Sequence, residues 1–182
     1  GEIDRLLATL AAQPERSILV GAYALGKAQR VIAELRRRGY DTPLYTHGAV
    51  EKLCSLYARF GVDLGELRPV AGLKPAELKG QIVVAPPSAL RDRWSRRLPD
   101  PVTAMASGWV RIRQRARQAN IELPLVISDH ADWDELTGTI EEILPSEVWV
   151  THGREDALIH WCSQRQIKAR ALALLHREDE DD

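Results

Sequence analysis

The sequence has few of the features that tie a chain to disulfide bonds or to a membrane. It contains two cysteines in 182 residues, Cys54 and Cys162, and neither belongs to a CxxC pair. Isolated cysteines argue against a disulfide framework, so we expect buried, reduced thiols in the cytoplasm. No apolar run is long enough to span a bilayer, and the chain does not begin with a secretory signal pattern. A membrane partner is therefore not expected.

The phosphate-binding motifs GxxxxGK[ST] and GxGxxG are also missing. Instead, a strand-like run ends at Gly21. A helix then begins at Gly26 and Lys27, with Arg30 one turn further on. A helix N-terminus with a nearby lysine attracts phosphate, so Lys27 and Arg30 are candidate phosphate contacts. The equal alternative is that Gly26 only permits close helix–sheet packing. A second candidate follows a later strand, where the backbone amides of Ser107 and Gly108 could approach an oxyanion.

Strand-like and helix-like segments alternate along the chain. We predict strands where short β-branched runs end at small or polar residues, and helices where apolar residues recur every three or four positions. Such alternation is typical of an α/β protein with a parallel sheet covered on both faces. The predicted strands are 17–20, 44–45, 82–85, 102–106, 125–127, 148–150 and 169–175. The predicted helices are 25–38, 50–60, 89–97, 133–144 and 157–166, with a loop at 62–80 that has a turn at 75–78, and with 109–118 fitting either helix or strand.

Two histidines follow consecutive predicted strands. His130 lies in the sequence Ser-Asp-His-Ala-Asp-Trp (128–133), and His152 lies in Thr-His-Gly. A crossover between these strands would make them neighbours, with both histidines at the carboxyl edge where ligands and metals collect. Asp129 and Asp132 could fix the tautomer of the first imidazole. A histidine at a strand end is often only a satisfied polar residue, so the spacing leaves that alternative open beside a hydrolytic site.

The formal net charge of -1 hides an uneven distribution. Between residues 91 and 118 eight arginines accompany two aspartates, whereas residues 177–182 have one arginine and five acidic residues. Dense arginine favours a phosphate backbone as partner, although a solvated helix face has the same composition. Trp94 and Trp109 lie in this basic stretch and could stack on the bases of a single strand or pack in the core. The arginines are at positions 91, 93, 96, 97, 111, 113, 115 and 117.

Several segments, in order, resemble the metallo-β-lactamase-fold nucleases that carry a β-CASP insert. The resemblance is greatest to the DNA-ligase-associated exonuclease branch, which is similar to RNA 3′-end processing factors. It implies a Rossmann-like parallel sheet, the β-CASP domain, plus the C-terminal strands and helices of a metallo-β-lactamase αββα domain. The implied parts are 1–11 (end of the N-terminal lactamase part), 12–113 (β-CASP domain), 114–176 (C-terminal lactamase part) and 177–182 (acidic tail). The matching segments are GAYALGKAQR (21–30), THGAVE (46–51), ASGW (106–109), SDHADW (128–133) and VTHG (150–153).

The same resemblance implies a zinc-dependent nuclease that hydrolyses phosphodiester bonds. Its substrate would be DNA, or alternatively RNA, and it would act as an exonuclease in repair beside a DNA ligase. Two zinc ions would hold and activate a water, with His152 as a ligand of one ion. His130 would donate a hydrogen bond or a proton to the scissile phosphate or leaving oxygen, and Asp132 would orient His130 or its loop.

One part of the family pattern is absent. The family carries an HxHxDH motif upstream of the insert, whereas no histidine precedes His47 in this sequence. We therefore expect the C-terminal part of a longer nuclease, which by itself is catalytically silent and binds zinc poorly. Two alternatives stay open. One is a non-catalytic β-CASP-like module that binds nucleic acid or a partner protein; the other is an unrelated α/β enzyme that handles small phosphorylated substrates.

Overall fold

A computed structural model of the chain describes residues 1–108, 120–151 and 155–172. The chain divides into two compact units, of which the first ends at His130 and the second begins at Ala131. The ambiguous element at 109–118, with Trp109 and four of the arginines, and the acidic tail at 177–182 lie outside the described residues. Within the described residues, no helix is both long and apolar enough to cross a membrane.

The described part of the first unit contains one sheet of six short strands. These are β1 (Ile18–Gly21), β2 (Leu44–Thr46), β3 (Leu67–Pro69), β4 (Ile82–Ala85), β5 (Val102–Ala106) and β6 (Leu123–Leu125). All neighbours pair in parallel, in the order β3-β2-β4-β1-β5-β6. The central strands β1 and β4 are buried along their whole length, which explains why their sequences are uninterrupted apolar runs.

Two layers cover this sheet. On one face lie the helices α1 (Glu2–Ala12), α2 (Lys27–Arg37) and α3 (Gly48–Arg59), and the other core contains residues of the 3₁₀ turns Pro75–Leu78 and Pro87–Leu90. Alternate residues of β1 point to opposite faces, as the pleat of a strand requires. Ile18 and Val20 accordingly pack with the helices, while Leu19 packs with the second cluster. The predicted α/β class with a parallel sheet is thus confirmed.

Two predicted elements of the first unit are wrong. The helix predicted at 89–97 is a pair of 3₁₀ turns, Pro87–Leu90 and Arg93–Arg97, since Asp92 interrupts the segment by capping the second turn through the Trp94 N–H. The loop predicted at 62–80 contains β3, an edge strand whose Leu67-Arg68-Pro69 sequence has almost no strand character. Proline is tolerated there because an edge strand has one unpaired side.

The second unit contains α4 (Trp133–Ile143), β7 (Val148–Val150), α5 (Glu155–Gln164) and β8 (Ala169–Ala171). Strands β7 and β8 pair in parallel, and Ile140, Val150 and Leu158 form the centre of a small core. The prediction that the two histidine-bearing strands are neighbours is therefore wrong, because β6 pairs with β5 and β7 pairs with β8. A crossover helix makes adjacent parallel strands common but does not require them.

Helix α1 and strand β6 belong to the first unit. Helix α1 packs Ile3 and Leu6 into the core of the six-stranded sheet, and Arg5 donates to the carbonyl of Pro124 in β6. The domain limits that the family resemblance implies stay a prediction.

This packing makes Leu6 a sensitive position. Leu6 is fully buried, so Leu6→Ala should lower the free energy of unfolding by about 3 kcal/mol through lost burial and a residual cavity. Leu56→Ala is the matched control, because Leu56 is helical but 41% exposed, and its cost should stay below about 1 kcal/mol. Urea unfolding followed by circular dichroism measures both. Equal losses would show that α1 is not part of this core.

Candidate functional site at the carboxyl edge of the sheet

The order of the strands reverses direction at the carboxyl edge of the sheet. Strands β1 and β5 are neighbours, yet the chain leaves β1 toward β2 on one side and leaves β5 toward β6 on the other. Such a reversal in an open α/β sheet is where ligands usually bind, outside the carboxyl ends of the strands. The described parts of four segments singled out in the sequence follow strands that end at this edge: 21–30 after β1, 46–51 after β2, 106–108 after β5 and 128–130 after β6.

Gly26 determines how α2 begins. Its backbone has φ 80° and ψ -65°, and the Lys27 N–H donates to the Leu25 carbonyl across it at 3.0 Å. This is a tight three-residue turn that residues with a Cβ adopt only under strain, and it requires glycine here. A Cβ on Gly26 would also lie 2.9 Å from Oδ2 of Asp129. The missing side chain thus leaves room for the Asp129 carboxylate against the start of the helix.

The Lys27 ammonium and the Asp129 carboxylate form a largely buried ion pair. Lys27 is only 4% exposed, and its Nζ lies 3.0 Å from Oδ1 of Asp129 and 5.3 Å from the centroid of the Tyr23 ring. Burial opposes ionisation of Asp129, but the hydrogen bonds from Lys27 and from its own backbone N–H outweigh burial and lower the pKa of the carboxyl group. Lys27 was predicted as a phosphate contact, and in the structure its charge is already balanced by Asp129.

His130 follows the ion pair directly and faces solvent. Its side chain is 82% exposed, and Nε2 lies 3.8 Å from Oδ1 of Asp129. That separation is too long for a hydrogen bond, so the carboxylate acts on the ring only through its charge. The backbone N–H of His130 donates to Oγ of Ser128 at 3.1 Å, which holds the turn. His130 is therefore an accessible imidazole on a loop that is fixed one residue earlier.

Ser107 and Gly108 lie beside the same loop. The Ser107 N–H donates to the carbonyl of Leu125 at 3.0 Å, and a Cβ on Gly108 would be 3.9 Å from Cβ of Ser128. The ends of β5 and β6 thus bring the two predicted segments together. Ser107 is 5% exposed, whereas Gly108 is exposed at the surface.

Two other predicted site residues have different surroundings. Arg30 is exposed and lines a shallow groove along α2 with Gly26 and Tyr57. Asp132 is the N-cap of α4, where its Oδ1 accepts the Glu135 N–H at 2.9 Å and Oε2 of Glu135 accepts the Asp132 N–H at 3.1 Å. This reciprocal capping explains why an aspartate stands at that position without any reference to His130.

The zinc prediction depends on residues that lie outside the described part of the chain. His152, the predicted zinc ligand, follows β7 within the segment 152–154, which the structure does not describe. Within the described ranges, no three or more His, Cys, Asp or Glu side chains are grouped so that they could hold a metal ion. These residues alone do not fit a zinc centre.

The partnership between Lys27 and Asp129 is not evident from the sequence alone. Each residue was noted separately, Lys27 as a phosphate contact and Asp129 as a neighbour of His130. They are 102 positions apart and follow strands that are separated by β5. The signal was present as a lysine and an aspartate just beyond the ends of two parallel strands, but it needed the strand order to be recognised.

Removing one member of the ion pair should be costly. Asp129→Asn leaves a buried ammonium without its counter-charge, and we expect a loss of about 2–3 kcal/mol of unfolding free energy, because Asp129 retains some exposure. Lys27→Met should cost a similar amount. The double variant should lose clearly less than the sum of the two single variants, since it removes both charges. Urea unfolding of all four proteins measures the coupling, and additive losses would contradict the pairing.

The same pair predicts a pH dependence. The pKa of Asp129 is lowered from 3.8 in the folded state, so its contribution is fully present above that value and is lost as the pH falls through the lower folded pKa. The difference in unfolding free energy between the wild type and Asp129→Asn should therefore be large at neutral pH. It should shrink when unfolding is repeated at about pH 3 and below. A difference that does not change with pH would mean that the charge of Asp129 is not what stabilises the fold.

For Asp132 we expect variants to rank by capping ability. Asp132→Asn preserves the capping acceptor and should change the unfolding free energy little, whereas Asp132→Ala should cost about 1 kcal/mol. Protection of the α4 backbone amides from hydrogen exchange measures the effect of the cap directly. Equal protection of α4 in all three proteins would argue that the cap contributes nothing.

Comparison with known proteins identifies a distant relative but no matching family model. No family model matches the chain. A probable DNA ligase from Opitutus terrae is 27% identical over 150 residues, which are 82% of this chain. The matching region is only 14% of that protein, so the chain spans a small part of the relative's length. The chain is thus similar to a segment of a much longer protein that is named as a DNA ligase.

Proposed function

We propose that the chain is the C-terminal part of a zinc-dependent nuclease of the metallo-β-lactamase type with a β-CASP domain. The proposed reaction is hydrolysis of phosphodiester bonds in DNA, from a strand end. One observation carries the proposal: of the five segments that resemble this family, the described parts of four (21–30, 46–51, 106–108 and 128–130) follow strands that end at the same edge of one parallel sheet. The fifth, 150–153, follows β7 of the other sheet. Segments scattered over the surface would not have supported a common site.

His130 is the residue to which we assign chemistry. Its imidazole is exposed, and its loop is held by the Lys27–Asp129 pair and by the hydrogen bond to Ser128. An exposed imidazole on a fixed loop suits a donor of a hydrogen bond or proton to the leaving oxygen. Zinc, when bound, would supply an activated water. Because the described residues do not fit a zinc centre alone, the metal would need His152 and ligands from a longer polypeptide.

The relative supports DNA as the substrate and a ligase as the associated activity. Its name concerns joining of DNA, and its matching segment is a small part of its length. A nuclease that prepares strand ends would be a reasonable neighbour of a ligase in one repair process. We therefore favour DNA over RNA as the substrate of the proposed enzyme.

A non-catalytic module that binds nucleic acid is the second candidate. It is favoured by the four exposed arginines at positions 91, 93, 96 and 97, because these could hold a phosphate backbone without any chemistry. An enzyme for small phosphorylated substrates is less well supported, because the Lys27 ammonium that it would use is paired with Asp129.

The proposal is tested by comparing the 182-residue chain with the longer protein from the same reading frame. With zinc or manganese and single-stranded DNA, the short chain should release no nucleotides. The longer protein should cleave, and His130→Ala or His152→Ala should lower its rate at least about 100-fold. His160→Ala is the control, because His160 is exposed on α5 and bonds only to its own helix.

Two results would contradict the proposal. The first is chelator-sensitive cleavage by the short chain that His152→Ala abolishes, since the chain would then complete a metal site alone. The second is a longer protein without an HxHxDH motif or without nuclease activity. In that case binding of DNA by either protein would favour the non-catalytic module.

A further inference from the structure

The arginines of this chain differ in whether a carboxylate balances them. Among the described residues, seven arginines have a carboxylate oxygen within 4 Å: Arg5, Arg16, Arg37, Arg38, Arg68, Arg165 and Arg170. Seven have no such partner in the described part: Arg30, Arg36, Arg59, Arg91, Arg93, Arg96 and Arg97. Arg36 donates instead to the backbone carbonyls of Tyr40, Thr42, Leu64 and Glu66. Four of the other six lie in one short segment, 91–97, which follows β4 in the chain, and all four are exposed. Arginine charge without a partner is therefore concentrated in that segment.

His47 lies at the same edge and has a fixed tautomer. It directly follows β2, and its backbone N–H donates to the Val84 carbonyl of β4 at 2.9 Å. Its Nδ1 accepts the Ala49 N–H at 3.0 Å, as the N-cap of α3. Because Nδ1 accepts, the proton of the neutral ring is on Nε2. No described residue occupies Nε2, so this N–H can donate to a ligand.

Trp94 lies within the segment 91–97 and contacts both His47 and an arginine of that segment. Its ring meets the ring of His47 edge-on, with centroids 4.6 Å apart and an interplanar angle of 72°, and the Arg97 guanidinium lies 5.8 Å from the ring centroid. Trp94 itself is half-buried and packs against the core cluster that contains Leu98. This favours the core alternative over base stacking for Trp94. The indole instead contacts both His47 and Arg97 and is itself anchored in the core.

This cluster is separate from the ion pair at Lys27. Strand β2 is two places from β1 and four places from β6 in the sheet. At about 4.8 Å per strand, His47 is roughly 10 Å from the end of β1 and roughly 19 Å from the end of β6, which leads to His130. A polymeric ligand could touch both places, whereas a small phosphorylated molecule could not.

From this geometry we infer that His47 and Arg97, held by Trp94, form a phosphate clamp for a DNA strand whose end reaches His130. The inference rests on the proposed function for the identity of the ligand. The guanidinium supplies charge and paired N–H donors, which suit phosphate, and the His47 Nε2–H supplies a neutral donor. The remaining arginines of 91–97 contribute electrostatic attraction.

Binding of a fluorescein-labelled single-stranded oligonucleotide to the 182-residue chain, followed by anisotropy at several salt concentrations, tests the clamp. Arg97→Gln should weaken binding by about tenfold and lower the slope of log affinity against log salt by about 0.7, as for one lost phosphate contact. Arg59→Gln is the matched control. It removes the same charge from the opposite end of α3, also without a described carboxylate partner, and should change affinity little.

Variants of His47 separate a ligand contact from capping. Asparagine and aspartate are both good N-caps, so His47→Asn and His47→Asp should both preserve α3 and the melting temperature. If His47 contacts phosphate, His47→Asn should weaken binding several-fold and His47→Asp should weaken it further, because a carboxylate repels phosphate. If His47 only caps the helix, His47→Asn should bind as the wild type does, because asparagine preserves the cap and adds no charge.

Each outcome decides the inference independently of the nuclease assay. The clamp is supported if Arg97→Gln and His47→Asn weaken binding while Arg59→Gln does not. It is overturned if Arg97→Gln and Arg59→Gln have equal effects, if His47→Asp binds normally, or if the wild-type chain does not bind. The clamp would also be overturned if inorganic phosphate, or polyglutamate at matched charge, displaced the labelled oligonucleotide as readily as unlabelled DNA does. The loss of the clamp would leave the role of His130 to be judged by cleavage in the longer protein.

Discussion

The candidate site depends on one constraint, the parallel pairing of β1 with both β4 and β5. In this register Gly21, at the end of β1, lies beside Ala85 on one side and Met105 on the other. The chain segments that leave these strands must therefore start at the same level and the same edge. Parallel strands always align their carboxyl ends, so residues far apart in sequence become neighbours without any direct attraction between them. The specific contacts then only refine a proximity that the sheet has already produced.

The ion pair between Lys27 and Asp129 is the main refinement. A buried lysine beside an exposed catalytic candidate invites a functional interpretation, but its contacts in the structure indicate a structural role. The ammonium neutralises the carboxylate, the glycine turn makes room for it, and the loop before His130 is fixed to the start of α2. Buried pairs of this kind contribute little net stability compared with apolar residues, yet they are costly to break because one charge is then left alone. Their value here is that they specify the position of a loop.

The sequence predicted the central strands well and the relations between elements poorly. The strand at 82–85 was located correctly because a fully buried strand is a continuous apolar run. The strands at 102–106 and 148–150 were also located correctly, although they are buried only at some of their positions. Strand β3 was missed because an edge strand with Leu67 as its only strongly apolar residue has no such signal. The pairing of β6 with β5 rather than with β7 could not be predicted either, because periodicity indicates which face of a strand is buried but not which strand lies beside it. For the same reason, the contact between Lys27 and Asp129 and the contact between His47 and Trp94 could not be predicted from the sequence.

Charge shows most clearly why contacts matter more than composition. The net charge of -1 suggests no anionic partner, and the arginine count alone cannot separate a solvated surface from a binding surface. The contacts can, because an arginine that already has a carboxylate gains little from a phosphate, whereas an unpaired arginine has no such competitor. Along the described carboxyl edge, the charge at Lys27 is balanced and the charge at 91–97 is not. In the proposed enzyme, a DNA strand would therefore be attracted first to the end near His47 and Arg97, and only its end would need to reach His130, beside the balanced Lys27–Asp129 pair. Such a division would place affinity at one part of the edge and the candidate proton donor at another.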